Sequence, residues 1–296
     1  MRVVEEIKKA FKSKKILILG FGKEGKDSFL FFKKLFPDKT IAIADRLNLR
    51  DFDKKVIALF EKEKRIELYL GKDYLKSLKN YDLIIKSPGV PIHLPEIEKA
   101  YQEKKIISPT KIFFDYCQGK IIGITGTKGK STTTTLIYKV LKKNFKNVFL
   151  IGNIGKPVLS LLLSSDNNPQ SIYVYELSSH QLYDLRKSPP IAVFLNIYRE
   201  HLDYYRNFSE YFRAKQNIFL YQKKDDFFIY NPEDENLKKI LKKVKAQKRA
   251  IDIKKVEKLI DKNEIPFAGG FYLLNIGAAL EVAKIFNIKE NQFLKT

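Results

Sequence analysis

A glycine-rich loop stands between an apolar run and a helical stretch in the middle of the chain. The run Lys120 to Ile124 leads into Gly123-Ile-Thr-Gly126-Thr-Lys-Gly129-Lys130-Ser131, and an amphipathic segment follows. Glycines let backbone N–H groups close around phosphate oxygens, and the positive end of the following helix strengthens the attraction. The pattern therefore predicts a parallel α/β sheet with a nucleotide phosphate bound where a strand ends.

The spacing inside this loop departs from the general Walker pattern. Gly126 and Gly129 lie closer together than the pattern requires, although Gly123 still precedes Gly129 by six residues. Lys130 is predicted to reach the terminal phosphates, and Ser131 is predicted to ligate Mg2+. The alternative is a glycine turn that binds nothing, which the flanking strand and helix disfavour.

A second glycine pattern lies near the N-terminus, at Gly20, Gly22 and Gly25, after the apolar run Lys15 to Leu19. Asp45 follows twenty residues beyond Gly25, where a carboxylate could accept hydrogen bonds from a ribose or a base. Such loops occur in many dinucleotide- and flavin-binding proteins. An NAD-dependent dehydrogenase is therefore a rival interpretation at this point.

Short apolar runs alternate with amphipathic segments along the whole chain, which is typical of parallel α/β sheets. The pattern restarts at Lys120, so the sequence predicts two domains, 1–110 and 111–296. The lysine-rich stretch from Leu237 to Arg249 is predicted to be a solvated helix face. The predicted strands are Lys15–Leu19, Thr40–Ala44, Arg65–Tyr69, Asp82–Lys86 and Lys105–Ile107, then Lys120–Ile124, Val148–Ile151, Ile172–Glu176, Ile191–Asn196 and Asp226–Tyr230.

Composition narrows the class of protein. Hydrophobic residues make up 44% of the 296 residues, yet no run approaches the ~18 apolar residues of a membrane span. The single cysteine, Cys117, excludes an internal disulfide framework and a multi-cysteine zinc site. The charged, amphipathic N-terminus does not resemble a secretory signal, so a cytoplasmic location is expected.

The chain is strongly basic, with 56 Lys and Arg against 34 Asp and Glu, a net charge of +22. Such a charge can attract nucleic acid or other anions. The lysines are spread along the chain without an arginine-rich tract or a recognisable nucleic-acid module. No nucleic-acid partner is therefore predicted, and nucleotide phosphates are the favoured anions.

Further motifs lie on both sides of the phosphate loop: Ser87 to Pro91 precedes it, and Gly152-Asn153-Ile-Gly155, Glu176-Leu-Ser-Ser-His-Gln181, Asn196 with His201-Leu-Asp203, and Tyr211-Phe-Arg-Ala-Lys215 follow it. Together these motifs resemble the Mur ligase family, from about Lys15 to the C-terminus. The Glu176 motif, preceded by the Gly152 motif, is most similar to the D-glutamate-adding members. Folylpolyglutamate and cyanophycin synthetases share mainly the phosphate loop, and a sibling ligase stays open as an alternative.

The resemblance implies a Rossmann-like, UDP-binding N-terminal domain and a central P-loop domain with a mainly parallel sheet. It implies ATP-dependent ligation of D-glutamate to UDP-N-acetylmuramoyl-L-alanine, through an acyl phosphate, in peptidoglycan biosynthesis. ATP converts a carboxylate oxygen into a leaving group, and Mg2+ at two sites spreads the charge of the transferring phosphoryl group.

The resemblance also implies site residues. Lys130, Glu176, His201 and Lys215 would be catalytic. Ser131 and Glu176 would hold one Mg2+, and His201 with a carbamylated Lys215 would hold the other, because a carbamate supplies the anionic oxygen that a lysine lacks. Each also has an ordinary alternative: a surface carboxylate for Glu176, a loop hydrogen bond for His201, and one lysine among many for Lys215.

Two binding sets complete what the resemblance implies, and His180 receives no role. The ATP set is Gly126, Thr127, Lys128, Gly129, Lys130, Ser131, Thr132 and Asn275. The UDP-substrate set is Gly22, Lys23, Glu24, Asp45, Ser87, Pro88, Gly89, Asn153 and Ser178.

The chain departs from the family pattern in two places. In the segment Gly269 to Ala279, Phe271 and Tyr272 replace a His and an Asn of a family motif that faces the adenine, although Asn275 remains. The chain also stops at Thr296, about where the family's C-terminal ligase domain begins, so that domain is expected to be absent. A fragment, a separate chain that supplies the domain, or a non-catalytic nucleotide-binding protein would each fit.

Overall fold

The computed structural model describes residues 2–201, 203–260 and 271–295. The chain forms two compact units, residues 1–117 with 157–167, and residues 118–156 with 168–296. Each unit contains one sheet in which every strand pair is parallel. The predicted α/β class is confirmed, whereas the predicted domain limits of 1–110 and 111–296 stay a prediction. No helix in the described ranges is long and apolar enough to cross a bilayer.

The sheet of the first unit has the strand order β3-β2-β1-β4-β5. Its central strands are apolar runs without alternation, because helices cover both faces of the sheet. Strand β1 pairs with β2 on one side and with β4 on the other, so a crevice opens at the carboxyl ends of these strands. The strands are β1 (Ile16–Leu19), β2 (Ile41–Asp45), β3 (Ile66–Leu70), β4 (Leu83–Lys86) and β5 (Ile106–Ile107).

Side-chain caps fix the starts of several helices in this unit. The Asp53 carboxylate accepts hydrogen bonds from two backbone N–H groups of the next helix. The Ser108 hydroxyl, which precedes Pro109, accepts one, from the N–H of Lys111. The helices are α1 (Arg2–Phe11), α2 (Lys23–Leu35), α3 (Lys54–Lys62), α4 (Pro95–Gln102) and α5 (Pro109–Tyr116), with short 3-10 turns at Leu49–Asp51, Tyr74–Asn80 and Ser160–Leu163.

The sheet of the second unit has the order β11-β10-β9-β6-β8-β7, so β6 lies between β9 and β8. Its core is formed by aliphatic side chains of the sheet together with those of two long helices, α6 and α11. The strands are β6 (Lys120–Thr125), β7 (Val148–Gly152), β8 (Ile172–Glu176), β9 (Ile191–Phe194), β10 (Phe227–Tyr230) and β11 (Gln247–Ala250). The helices are α6 (Lys130–Asn144), α7 (Ser179–Leu182), α8 (Phe208–Gln216), α9 (Glu235–Ile240), α10 (Ile253–Leu259), α11 (Phe271–Ile285) and α12 (Glu290–Leu294), with a 3-10 turn at Leu241–Lys243.

The lysine-rich stretch from Leu237 to Arg249 is only partly helical, so the prediction of a solvated helix face is wrong for its last residues. They form the edge strand β11, which pairs with β10. An edge strand that carries Lys and Arg keeps its open side solvated and resists pairing with another chain. The Arg249 guanidinium also lies 4.9 Å from the centroid of the Phe227 ring on the neighbouring strand β10.

The returning segment, Pro157–Asn167, lies in sequence between β7 and β8 but belongs to the first unit. It is anchored by Asp27 of α2, whose buried carboxylate accepts hydrogen bonds from the backbone N–H of Leu159, at 2.8 Å, and from the Ser160 hydroxyl. Burial raises the pKa of Asp27, and the hydrogen bonds from the segment oppose that rise. The first unit is therefore built from two separate stretches of chain.

Candidate nucleotide and metal site

The central glycine loop connects β6 to α6 through a backbone that only glycine adopts without strain. Gly129 has φ +83°, and a Cβ there would lie 2.6 Å from the Asn275 amide oxygen. Helix α6 begins at Lys130, and no side chain of the described residues caps its first turn. The N–H groups of that turn are therefore available to an anion.

Asn196, which follows β9, clamps the loop from one side. Its side-chain oxygen accepts hydrogen bonds from the backbone N–H groups of Thr127 (3.0 Å) and Lys128 (2.9 Å), and its amide donates to the Lys128 carbonyl (3.0 Å). The residue is buried. The sequence motif contained Asn196 but indicated no role for it, because its partners lie about seventy positions earlier in the chain.

Asn275 holds the other side of the loop. Its side-chain oxygen accepts a hydrogen bond of 3.0 Å from the Thr133 hydroxyl of α6 and lies against Gly129. The structure thus brings this predicted ATP residue to the loop. Phe271, at the start of the same helix, is 51% exposed, whereas Gly269 and Gly270 of the predicted segment lie outside the described residues.

Glu176 ends β8, which runs parallel to β6, and its side chain is fully buried. One carboxylate oxygen accepts a hydrogen bond from the Asn153 amide at 2.9 Å. The other oxygen is buried and has no hydrogen-bond partner among the described residues. A buried carboxylate oxygen without a donor costs free energy unless a cation or a water satisfies it.

Lys130 is half-buried at the start of α6, and its ammonium donates to the Thr127 carbonyl at 2.8 Å. Burial lowers the pKa of Lys130, while the nearby carboxylates of Glu176 and Glu200 favour its charged form. The predicted phosphate-directed cation and the predicted metal carboxylate therefore share one electrostatic environment.

Lys215 is 1% exposed, and its amine contacts the residues at the start of the glycine loop. The nitrogen lies 2.8 Å from the Gly126 carbonyl oxygen, 3.3 Å from the Thr125 hydroxyl and 5.1 Å from the centroid of the Tyr211 ring. Burial lowers the pKa of Lys215 well below its ordinary value, and the charge of Lys130 lowers it further.

His201 has a left-handed backbone, with φ +57°, and its side chain is 41% exposed. Its Nε2 atom lies 3.6 Å from a carboxylate oxygen of Glu200, and its ring centroid lies 5.8 Å from that of Tyr211. The Tyr211 hydroxyl in turn lies 3.0 Å from the Thr127 hydroxyl of the glycine loop.

Tyr211 therefore links His201, Lys215 and the loop, and sequence reasoning assigned it no role. The signal was present in the spacing, because Tyr211 and Lys215 stand four residues apart and share one face of α8.

The remaining predicted residues of this unit lie at the starts of two helices and in one loop. Thr132 and the exposed Ser131 belong to the first turn of α6. Ser178 caps α7, since its hydroxyl accepts the Gln181 N–H at 3.2 Å. Asn153 lies in the loop after β7 and bonds to Glu176, as described above.

The first glycine loop, Gly20 to Gly25, is held in place by hydrogen bonds and close contacts from residues of the first unit. A Cβ on Gly25 would lie 2.0 Å from the Gly20 carbonyl oxygen, and that oxygen accepts a hydrogen bond of 2.7 Å from the Ser87 hydroxyl. Asp45 accepts backbone N–H bonds from Phe21 at 2.6 Å and from Leu47 at 2.9 Å. Asp45 and Ser87, which were predicted to bind the UDP substrate, therefore both make hydrogen bonds that hold the loop in this structure.

The other predicted UDP-substrate residues of this unit surround the same crevice. Gly22 precedes α2, Lys23 and Glu24 form its first turn, and Pro88 and Gly89 follow β4. The structure therefore gathers seven of the nine residues at the carboxyl ends of β1, β2 and β4, whereas Asn153 and Ser178 belong to the second unit.

Comparison with known proteins agrees with this architecture. Residues 14–108 match the model of the Mur ligase MurD-like N-terminal domain, and residues 124–266 match that of the Mur ligase middle domain. The chain belongs to the Mur ligase family. It is 37% identical to the UDP-N-acetylmuramoylalanine–D-glutamate ligase of Clostridium kluyveri over 79% of its length, and equally identical to that of Clostridium acetobutylicum. The chain spans about half the length of these curated relatives.

Solved structures show the same fold. The UDP-N-acetylmuramate:L-alanyl-γ-D-glutamyl-meso-diaminopimelate ligase of Neisseria meningitidis matches 95% of this chain and 96% of its own, with a TM-score of 0.62 and 16% identity. The UDP-N-acetylmuramate-alanine ligase of Thermotoga maritima matches 95% of this chain and 67% of its own, with a TM-score of 0.53 and 19% identity. These likenesses establish the fold alone.

Proposed function

We propose that this chain binds Mg-ATP at the central glycine loop and takes part in the ligation of D-glutamate to UDP-N-acetylmuramoyl-L-alanine. The observation that carries the proposal is the buried Glu176 carboxylate, which keeps one oxygen open on the strand next to the loop that bears Lys130. In this proposal residues 1–110 form the UDP-substrate domain and residues 111–296 form the ATP domain. The D-glutamate-specific relatives at 37% identity support the choice of amino acid.

The residues present fit Mg2+. Magnesium prefers oxygen ligands and is usually held by one or two carboxylates together with substrate phosphates and water. Glu176 offers an unpartnered buried oxygen, and Ser131 offers a hydroxyl one helical position after Lys130. The described residues contain no cluster of three His, Cys, Asp or Glu side chains that could hold a metal. In this proposal, ATP phosphate oxygens and water complete the shell.

The proposed reaction uses these groups in two transfers. The substrate carboxylate attacks the γ-phosphorus of ATP, the bond to the bridging oxygen breaks, and ADP leaves. The amine of D-glutamate then attacks the acyl carbon, and phosphate leaves as the amide forms. Mg2+ held by Glu176 and Ser131 would spread the negative charge of the transferring group. Lys130 and the open N–H groups of α6 are proposed to hold the phosphates in line for the first transfer.

Lys215 is proposed to react with carbon dioxide and to carry a carbamate beside His201. The support is its low pKa, because only the neutral amine attacks carbon dioxide, with loss of one proton as the carbamate forms. The carbamate oxygens and the His201 imidazole would then hold a second Mg2+. A signal from enriched carbon dioxide in the 13C NMR spectrum, absent from a Lys215→Met variant, would support this step.

The first unit is proposed to bind the UDP moiety in the crevice lined by Gly22, Asp45 and Ser87, rather than NAD. The D-glutamate site is proposed to lie in a further domain, of this polypeptide or of a separate chain, because the relatives are about twice as long. ATP and UDP-linked sugars are cytoplasmic metabolites, so we propose that the protein acts there.

Phosphate release from Mg-ATP by the 296-residue chain tests the proposal. It should be measured with UDP-N-acetylmuramoyl-L-alanine, with and without D-glutamate. Release that requires both substrates would support a complete ligase site. Binding of Mg-ATP and UDP substrate without release would favour the alternative, a nucleotide-binding part of the enzyme that needs a further domain. Failure to bind either ligand would overturn the proposal.

A further inference from the structure

We infer that His180 is a positioning residue for His201, and this inference rests on the role that the proposed function gives to His201. The two imidazole rings pack edge to face, with centroids 5.0 Å apart and planes inclined by 71°. His180 belongs to the Glu176 motif, yet the motif itself indicates no function for it. Edge-to-face pairs of this kind have a preferred geometry, so one ring restrains the other.

His180 is itself held firmly, which a positioning residue must be. Its ring packs perpendicular to Tyr204, with centroids 4.0 Å apart, and nearly parallel to Tyr205, with centroids 5.7 Å apart. Tyr205 is 2% exposed. The backbone of His180 lies in α7, whose start is fixed by reciprocal hydrogen bonds between Ser178 and Gln181.

His201 needs such a restraint because its own surroundings leave the ring partly open to solvent. Its left-handed backbone is costly for a residue with a Cβ, and the turn is held by hydrogen bonds from the N–H groups of Tyr204 and Tyr205 to its carbonyl, at 3.1 and 3.0 Å. These bonds fix the main chain and leave the side-chain torsions free. The half-exposed imidazole would lose its preferred direction without neighbouring rings.

Two aromatic neighbours supply that direction. His180 packs against the His201 ring at 5.0 Å and Tyr211 packs against it at 5.8 Å. Because the Tyr211 hydroxyl is bonded to Thr127, the arrangement relates the direction of His201 to the glycine loop. Removing the ring at position 180 takes away one of these two ring contacts, while Glu200 and every proposed ligand remain in the chain.

The histidine side chains can be observed directly, because the chain contains only His93, His180 and His201. NMR spectra of 15N-labelled imidazoles should be recorded at one fixed pH for the wild type, His180→Phe and His180→Leu. Phe keeps an aromatic ring at this position, whereas Leu keeps much of the volume without a ring. We expect the His201 resonance to stay near its wild-type position in the Phe variant and to move or broaden in the Leu variant. His93→Phe is the matched control.

Titration with Mn2+ alone gives the second readout. The Leu variant should bind Mn2+ at His201 roughly 3- to 10-fold more weakly, and the Phe variant should bind it as the wild type does, if an aromatic pair contributes its usual free energy. Paramagnetic broadening of the His201 resonance reports this binding.

The outcomes separate the inference from the proposed function. An unchanged His201 resonance and Mn2+ affinity in the Leu variant would overturn the positioning role. Absence of Mn2+ broadening at His201 in the wild type would instead contradict the proposed metal site and leave the ring geometry to be judged by the resonances alone. If the Leu variant does not fold, Tyr204→Leu removes the perpendicular support of His180 instead. The His201 resonance must then move or broaden relative to the wild type, and an unchanged resonance would overturn the positioning role.

Discussion

Both units begin with a strand, a glycine loop and a helix, and both loops contain a left-handed glycine, Gly20 in the first and Gly129 in the second. They differ in what surrounds the glycines. In the first loop, the side chains of Asp45 and Ser87 form hydrogen bonds with backbone atoms. In the second, Asn196 performs that bracing, and the Lys130 ammonium and a Glu176 carboxylate oxygen without a hydrogen-bond partner among the described residues lie beside the loop. The first loop also carries charged residues, Lys23 and Glu24, but they stand at the crevice proposed for the UDP substrate.

The comparison shows that a glycine pattern specifies a tight turn but does not specify which ligand, if any, the turn binds. A close approach between Gly25 and Gly20 makes the first turn a packing device beside a crevice. The second turn also contains a left-handed glycine, and the charged groups Lys130 and Glu176 near it are suited to phosphate and metal chemistry. Four experiments can break or sharpen this contrast.

The largest effect is expected from Gly25→Ala. Its Cβ would lie 2.0 Å from a backbone oxygen, so the loop must shift, at a cost of about 3 kcal/mol in the free energy of unfolding. Gly22→Ala is the control, since no atom lies within 4 Å of a Cβ there, and it should cost less than about 1 kcal/mol. Urea denaturation measures both. Equal stabilities would show that the first loop is not a packing device.

Lys130→Ala should weaken Mg-ATP binding roughly 100-fold, because the site loses its charged phosphate donor. Lys23→Ala is the matched comparison, since Lys23 opens α2 as Lys130 opens α6. That variant should bind Mg-ATP as the wild type does. Calorimetric titration gives both affinities, and similar losses in the two variants would remove the distinction between the loops.

The buried amine of Lys215 makes stability depend on pH. Its pKa in the folded protein is lowered, so the unfolded chain binds the extra proton between that pKa and the ordinary value near 10.5. The free energy of unfolding should therefore rise with pH across this window, by up to about 1.4 kcal/mol per pH unit for one proton. The contribution should disappear in Lys215→Met. Denaturation in buffers free of carbon dioxide tests this, and identical slopes would contradict it.

The smallest effect is expected from Ser87→Ala, which removes a single hydrogen bond to the Gly20 carbonyl. A loss of about 1 kcal/mol in the free energy of unfolding is expected, with Mg-ATP affinity unchanged. A thermal melt and the same calorimetric titration provide the two numbers. A fall in Mg-ATP affinity would mean that the first loop serves the nucleotide site after all.

Most strands of the two sheets could be predicted from the sequence because they are continuous apolar runs. The first strand was predicted at Lys15–Leu19 and is observed at Ile16–Leu19, a difference of one residue. The strand predicted at Ile172–Glu176 is observed with the same two ends. Strand β11 could not be predicted in this way, because an edge strand with one neighbour needs few apolar residues. Its lysines resemble those of a solvated helix until the pairing with β10 is known.

The candidate site was predictable to the extent that its residues follow strands. Glu176 stands at the end of an apolar strand, and parallel strands bring such ends together. The clamp by Asn196 and the ring contact between His180 and His201 depend on contacts between distant parts of the chain. Local patterns carry no information about such contacts.

The returning segment has a consequence for synthesis on the ribosome. Asp27 is translated early, but its partners Leu159 and Ser160 emerge more than a hundred residues later. Until then the Asp27 carboxyl lacks the donors that offset its burial, and the first unit stays incomplete while much of the second is already emerging. The first unit is therefore expected to complete its fold only after residues 157–167 have been synthesised. A nascent chain arrested before residue 157 should be more sensitive to protease than the released protein.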